Sequence, residues 1–183
     1  MPGSAPRREV WDADDALEHL YAAHWRSLVR LSVLLVHDRE EAEEVVQDAF
    51  VATHGRWHRL RDPDKALAYL RQAVVNRSRS VLRHRGVVER HAVRESRAAG
   101  AWTVDSPSLA AGRREAVLDA LRALPTRQRE VLALRYYLDL SEAEIADALG
   151  ISRGAVKAHA SRGSATLRGL LADHLHDDAE GDL

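Results

Sequence analysis

The chain contains no cysteine. Disulfides, thiolate metal sites and thiol catalysis are therefore excluded, and the composition fits a reducing compartment. No apolar run approaches membrane-spanning length, and the first residues, Met1 to Trp11, hold no apolar core resembling a signal peptide. A cytoplasmic protein with no membrane insertion is expected. No segment sustains the alternation of a strand, and no internal repeat of useful length appears. Gly-rich phosphate loops and nucleophile elbows are also missing. His54 and His58 are spaced four apart but lack an intervening Glu and an obvious third ligand, and His174 and His176 lie in an acidic tail. Neither pair makes a convincing metal site. No catalytic residue, metal or cofactor is expected.

Net charge is also nearly absent, at -1 over 183 residues, but that balance hides strong segregation. Between Asp38 and Asp48 stand six acids and one Arg. Between Arg71 and Arg97 stand eight arginines and only Glu89 and Glu95, and the stretch from Tyr69 to Arg83 has no local acids to neutralise it. From Ala148 to Ala172 there are bases and no acids, and from Asp173 to Asp182 only acids. Blocks of opposite sign predict separate surfaces for separate partners.

The hydrophobic pattern is helical nearly throughout. Leu17, Leu20, Tyr21, His24, Leu28, Leu31 and Leu35 form one stripe, and Ala42, Val45, Val46, Ala49 and Phe50 a second. Asp62-Pro63-Asp64 reads as a break, with Asp62 or Asp64 available to cap a helix carrying Leu67, Leu70 and Val74. Periodicity lapses between about Gly86 and Gly112, then returns with Val117, Leu118, Leu121 and Leu124, stops at Pro125, and resumes with Val131, Leu132, Leu134 and Leu138. The expected fold is all-α: two small helical domains joined by a flexible linker. The boundaries are 12–85 for the first domain, 86–112 for the linker, 113–175 for the second domain and 176–183 for the acidic tail.

Ser141-Glu142-Ala143-Glu144 has the form of a capping box opening a helix with Ile145, Ala146 and Leu149. Gly150 supplies a left-handed residue to end it. Ile151 is the buried pivot of the turn, and Ser152 caps a helix beginning at Arg153. Short helix, glycine turn and second helix with a polar face make a helix-turn-helix. In such a unit the start of the second helix enters the major groove, so Ser152, Arg153, Lys157, His159 and Arg162 are the candidate duplex-DNA contacts. The alternative is a helical hairpin whose basic residues are solvated. Gly163 sits inside this helix and costs about 1 kcal/mol relative to Ala.

The first domain needs its own account. The acidic helix presents Glu40, Glu41, Glu44, Gln47 and Asp48 on or near one face, which repels DNA and suits a basic protein surface. Further on, Tyr69, Arg71, Gln72, Asn76, Arg77, Arg79 and Arg83 interleave bases with an aromatic and amides. Arginines track phosphates, an aromatic stacks on an unpaired base, and an amide reads a base edge. Tyr69 is equally suited to the core.

With those motifs in hand, the chain resembles the extracytoplasmic-function sigma factors, the small two-domain class of the sigma-70 family of bacterial RNA polymerase specificity subunits. Asp38 to Phe50 resembles the family's polymerase-binding helix, Tyr69 to Arg83 its -10 segment, and Leu124-Pro125, Arg129-Glu130-Val131 and Ser141 to Arg162 its -35 domain. The similarity spans Leu17 to Leu171 and is closest in style to actinobacterial members of the sigma-E kind. It implies that Glu40, Glu41, Glu44, Gln47, Asp48 and Phe50 dock on the clamp coiled coil of the largest subunit of core RNA polymerase. The second domain would read the -35 duplex and meet the polymerase flap. The Arg-rich segment would hold the melted -10 strand, with a base extruded near Asn76. All chemistry would belong to the polymerase, and an anti-sigma factor is a further partner the resemblance suggests. Tyr69 stands where many relatives carry Trp, Ser80 where many carry Asp, Ala158-His159 for Ser-Arg, and Gly163 for Ala; these differences bear on promoter sequence. The competing reading is a stand-alone helix-turn-helix regulator, which leaves the acidic helix and the Arg-rich run without a role.

Overall fold

A computed structural model describes the chain over residues 13–60, 62–92 and 109–180, with the side chains of 63–64, 87–92, 109–114 and 173–180 outside the description. Among the described residues every regular element is helical. The first bundle consists of α1 (Ala13–Val36), α2 (Arg39–His54), the single turn α3 (Trp57–Leu60) and α4 (Pro63–Ala92). The second consists of α5 (Leu109–Ala123), α6 (Thr126–Leu132) continuing into a wide π-helical turn (Ala133–Tyr137), α7 (Glu142–Leu149) and α8 (Arg153–Glu180).

Two junction residues set the first bundle. His37 takes a left-handed conformation at φ 61, and its N–H returns to the Val33 carbonyl at 2.9 Å, so α1 ends without a glycine. Asp38 then caps α2, its Oδ1 accepting from the Glu41 N–H at 2.9 Å. The chain reverses in two residues, which packs α1 and α2 side by side with α4 across both. The expected stripe is buried at Leu17, Leu20, Leu28, Leu31 and Leu35, while Tyr21 is exposed. Where α1 meets α4, Ser32 and Ser78 are buried and hydrogen-bond each other at 3.2 Å, so neither hydroxyl is left dry.

The helix-turn-helix forms as its caps dictate. Ser141 Oγ accepts from the Glu144 N–H at 3.3 Å, and a Glu144 carboxylate oxygen accepts from the Ser141 N–H at 2.9 Å. Gly150 has φ 64, Ile151 N–H closes on the Ala146 carbonyl at 3.0 Å, and Ser152 Oγ accepts from the Ala155 N–H at 3.1 Å. Ile151 itself is half-buried, less enclosed than a pivot was expected to be, because it faces the core edge beyond the turn.

Three boundaries differ from the expected ones. Helix α4 runs on through Ala92 where the linker was expected to begin at 86, and α5 begins at Leu109, before the expected 113. Helix formers such as Arg85, Glu89 and Arg90 continue the backbone ladder even where the apolar stripe fades. The rest of the linker, 93–108, lies outside the described residues. Helix α8 also extends through Gly163 and on to Glu180, into the expected tail. The glycine has a packing reason: a Cβ there would lie 3.1 Å from Leu132 Cδ1 and 3.2 Å from Gln128 Cβ, so its absence lets α8 approach α6.

The two bundles are not isolated from each other. One apolar cluster contains Leu28, Leu31, Val46, Leu70 and Val74 of the first bundle together with Val131, Leu134, Ile145 and Val156 of the second. Leu34 of α1 also packs against Leu121, Leu124 and Leu132.

Candidate polymerase and nucleic-acid interfaces

The acidic candidates on α2 divide by exposure. Glu40, Glu44, Gln47 and Asp48 face solvent along one side of the helix, three and four residues apart. Glu41 is half-buried and taken up internally: Arg85 Nε donates to its Oε1 at 3.0 Å, and Arg85 Nη1 donates to the Val36 carbonyl at 2.8 Å. Phe50 does not join the exposed face. It is 8% exposed, with its ring 5.3 Å from Tyr21 and 6.1 Å from Trp25, which themselves stack at 4.6 Å. That aromatic cluster positions the α1–α2 pair.

On α4 the strand-holding candidates also divide. Asn76 and Arg83 are exposed, and Tyr69, Arg71, Gln72, Arg77 and Arg79 are half-buried. The Tyr69 ring lies under the Arg56 guanidinium at 5.4 Å, a cation–π contact rather than a core position. Tyr69, Arg71 and Gln72 line one wall of a cavity of about 300 Å³ whose other wall is Leu140, Glu144, Asp147 and Ala148 of the second bundle.

The Arg-rich run has no acids nearby in sequence, yet it is not left unneutralised. Three of its members find acids across the fold: Arg77 donates to Asp48 at 2.8 Å, Arg79 to both carboxylate oxygens of Glu130 at 2.5 and 2.9 Å, and Arg85 to Glu41. Sequence distance hid these partners, which lie 29, 51 and 44 residues away. Arg79 also donates to Asn76 Oδ1 at 2.9 Å, and Arg83 to Ser80 Oγ at 3.0 Å.

The recognition-helix candidates are set on the start of α8. Ser152, Arg153, Lys157 and Arg162 face solvent. Lys157 and Arg135 both approach Glu142 at 3.6 Å, so one carboxylate loosely anchors the helix-turn-helix on its basic side. His159 is half-buried, with Nδ1 enclosed and unpaired, so only part of that ring is offered outward. The described residues hold no group of three His, Cys, Asp or Glu placed to bind a metal. His54 and His58 do not share a helix face, because α2 ends at His54, whose Nε2 lies 2.9 Å from Asp14. The side chains of His174 and His176 lie outside the description.

Sequence reasoning missed the residues that join the two bundles. Arg129, only 7% exposed, donates to the carbonyls of Arg122 and Leu124 at 3.0 and 3.1 Å, to that of Leu35 at 2.9 Å and to His37 Nε2 at 2.8 Å. Burial pulls its pKa below the usual arginine value. His37 is pushed down to about 3, by burial first and then by Arg129, Arg122 and Arg85. Arg129 and Glu130 had stood out only as part of a motif, with nothing local to say what they touch.

These features define a two-bundle helical protein with an exposed acidic face, an Arg-rich helix and a helix-turn-helix. Residues 20–87 match sigma-70 region 2, and residues 114–167 match sigma-70 region 4. The RNA polymerase sigma-E factor of Streptomyces avermitilis is 36% identical over 142 residues, 78% of this chain and 77% of the relative. Sigma factor CarQ of Myxococcus xanthus is 32% identical, covering 88% of this chain and 92% of the relative. The ECF RNA polymerase sigma factor SigM of Mycobacterium tuberculosis is 30% identical, covering 85% and 77%. Among solved structures, the sigma factor RpoE of Bartonella quintana, in complex with the anti-sigma factor NepR, aligns over 85% of this chain and 96% of its own at TM-score 0.68 and 22% identity. CnrH, in complex with the cytosolic domain of CnrY, aligns over 88% and 95% at TM-score 0.64 and 26% identity. The chain belongs to the sigma-70 family of RNA polymerase sigma factors, in its extracytoplasmic-function class. It directs RNA polymerase to promoters; the stand-alone regulator reading leaves the region 2 match unexplained.

Proposed function

We propose that the two bundles divide promoter recognition between them. Glu40, Glu44, Gln47 and Asp48 dock on a basic surface of core RNA polymerase, the clamp coiled coil of its largest subunit. Glu41 and Phe50 support that face from beneath, through Arg85 and through the aromatic cluster. Asn76, Arg77, Arg79 and Arg83 hold the melted -10 strand, with Tyr69, Arg71 and Gln72 at the edge of the same surface. Arg153, Lys157 and Arg162 reach the -35 duplex, with Ser152 fixing the helix start and His159 at its margin, and the second bundle meets the flap. A protein that prefers splayed bases shifts the duplex equilibrium toward melting without doing chemistry. The chain is thus a non-enzymatic specificity subunit of the cytoplasm. No helix among the described residues is long and apolar enough to cross a membrane. Among its solved neighbours, RpoE is bound to the anti-sigma factor NepR and CnrH to the cytosolic domain of CnrY, and an anti-sigma partner is inferred here.

The observation that carries this reading is that one bundle presents two surfaces of opposite charge on neighbouring helices. Acids lie outward on α2 and an exposed amide with arginines lies on α4, joined by the Asp48–Arg77 pair. The test is reconstitution with core polymerase and transcription from a pool of genomic fragments. Specific start sites are expected. Glu44→Arg should lower affinity for core by at least tenfold with an unchanged melting curve, since the residue is exposed. Unchanged affinity would remove α2 from the docking assignment.

A further inference from the structure

Positive charge on α3 and α4 is compensated unevenly. Arg77, Arg79 and Arg85, on the later part of α4, are each held by a carboxylate, from Asp48, Glu130 and Glu41. Arg56 and Arg59, at and beside the start of α3, and Lys65, at the start of α4, are exposed, and none is ion-paired among the described residues. Uncompensated cations therefore gather around Tyr69, away from the Arg-rich run. We propose that Arg56, Arg59 and Lys65 form a further contact site for single-stranded DNA, with the Arg56 guanidinium as a plate on which an unpaired base stacks. This rests on the strand-holding role given to α4 above and extends it to residues beyond the Arg-rich run.

Local structure fixes the plate. The Arg56 N–H donates to the Thr53 carbonyl at 3.1 Å, and the Arg56 carbonyl accepts from the Arg59 N–H at 2.9 Å. Trp57, buried at 7% exposure, pins that turn to the core. The Arg56 backbone is thus held while its side chain reaches α4, where the guanidinium lies 5.4 Å from the centre of the Tyr69 ring. Contact with the ring restrains a long side chain before DNA arrives, which lessens the entropy lost on binding. Arg56 is exposed, so the guanidinium face turned from the ring is open to solvent. A planar guanidinium stacks on a base, whereas a lysine ammonium offers only a point charge.

The neighbouring cations suit phosphates. Arg59 stands three residues along from Arg56, and Lys65 lies four residues before Tyr69 on the same side of α4. Lys65 and Tyr69 also border one cavity. A stacking plate beside phosphate-binding cations matches a strand, in which bases and phosphates alternate. Duplex DNA keeps its base faces inside the stack, so this site favours the single strand and adds to the bias toward melting.

The test uses holoenzyme reconstituted from the full chain and core RNA polymerase, with core alone as the blank. Anisotropy of a labelled single-stranded 30-mer of mixed sequence is compared with that of an abasic backbone of equal length. Arg56→Lys should weaken binding of the base-bearing strand about fivefold and leave the abasic one unchanged, because the charge is kept and the plate is lost. Tyr69→Phe should bind as the parent does, since the ring beneath the guanidinium stays. Arg59→Ala and Lys65→Ala should weaken both strands alike, each lowering the slope of log K against log salt by about 0.7. The three cations are exposed, so thermal melts of these variants should match the parent. An Arg56→Lys chain that binds both strands normally, or loses both equally, overturns the stacking role. Unchanged slopes in the alanine variants overturn the phosphate contacts. Asn76→Ala and Arg83→Ala test the assignment beneath. If they weaken strand binding while the three cation variants do not, only the site around Arg56 falls. If none of the variants weakens it, the strand-holding role of α4 falls as well.

Discussion

Arg129 Nη1 lies 2.8 Å from Nε2 of His37, across the seam between the two bundles. A guanidinium can only donate, so this imidazole nitrogen must accept and the ring must be neutral. Arg122 and Arg85 stand close enough to oppose a second charge, and Arg85 is itself held by Glu41. The contact therefore ties α6 to the end of α1 only while the ring is neutral.

The pH dependence of this contact follows from that ring. Its pKa is about 3 in the folded chain, against an ordinary value near 6.5 once it is released. The stability it contributes is complete above pH ~6.5 and is lost as pH falls toward the folded value, because the unfolded chain binds the proton more tightly. Lowering pH from 7 to 5 should lower the melting temperature, and His37→Asn, which tolerates the left-handed backbone, should flatten that response. A response of equal size in the variant would assign it to another group.

Gly163 tests the approach of α8 to α6. Replacement by Ala gains about 1 kcal/mol of helix propensity and meets Leu132 Cδ1 and Gln128 Cβ at 3.1–3.2 Å, so the net change should be small. Gly163→Leu has no room and should destabilise the second bundle by roughly 1–3 kcal/mol. Urea denaturation of both variants checks the order, and a Leu variant as stable as the parent would contradict the packing.

The capping box gives a second stability test. Ser141→Ala should cost about 1 kcal/mol. Hydrogen bonds from Ser141 hold the Glu144 carboxyl below its usual pKa. That contribution is present above the unfolded carboxylate value and is lost as pH falls through the lower folded one. Thermal melts of Ser141→Ala should therefore show a shallower loss of stability on acidification than the parent.

Salt dependence separates positioning from reading on α8. Each phosphate contact removed from Arg153, Lys157 or Arg162 should lower the slope of log K against log salt by about 1. A variant that weakens binding without changing the slope reads a base. Duplex titrations at several ionic strengths distinguish the two. No effect from the triple Ala variant would move duplex recognition off this helix.

Sequence alone determined the helical class, the helix-turn-helix with its caps, and the division into two bundles. These rest on contacts three or four residues apart, and local spacing is written directly in the chain. It also showed the exposed acids of α2 and the bases of α8, because charge blocks on amphipathic helices have a solvent side by default. Tertiary structure decided what the Arg-rich run touches. Arg77, Arg79 and Arg85 look unneutralised until Asp48, Glu130 and Glu41 arrive from other helices. It likewise drew Phe50 into the core and gave Gly163 a close-packing role. Pairings across tens of residues leave no period in the sequence, and a buried ion pair depends on how helix faces meet, which only the packed chain specifies.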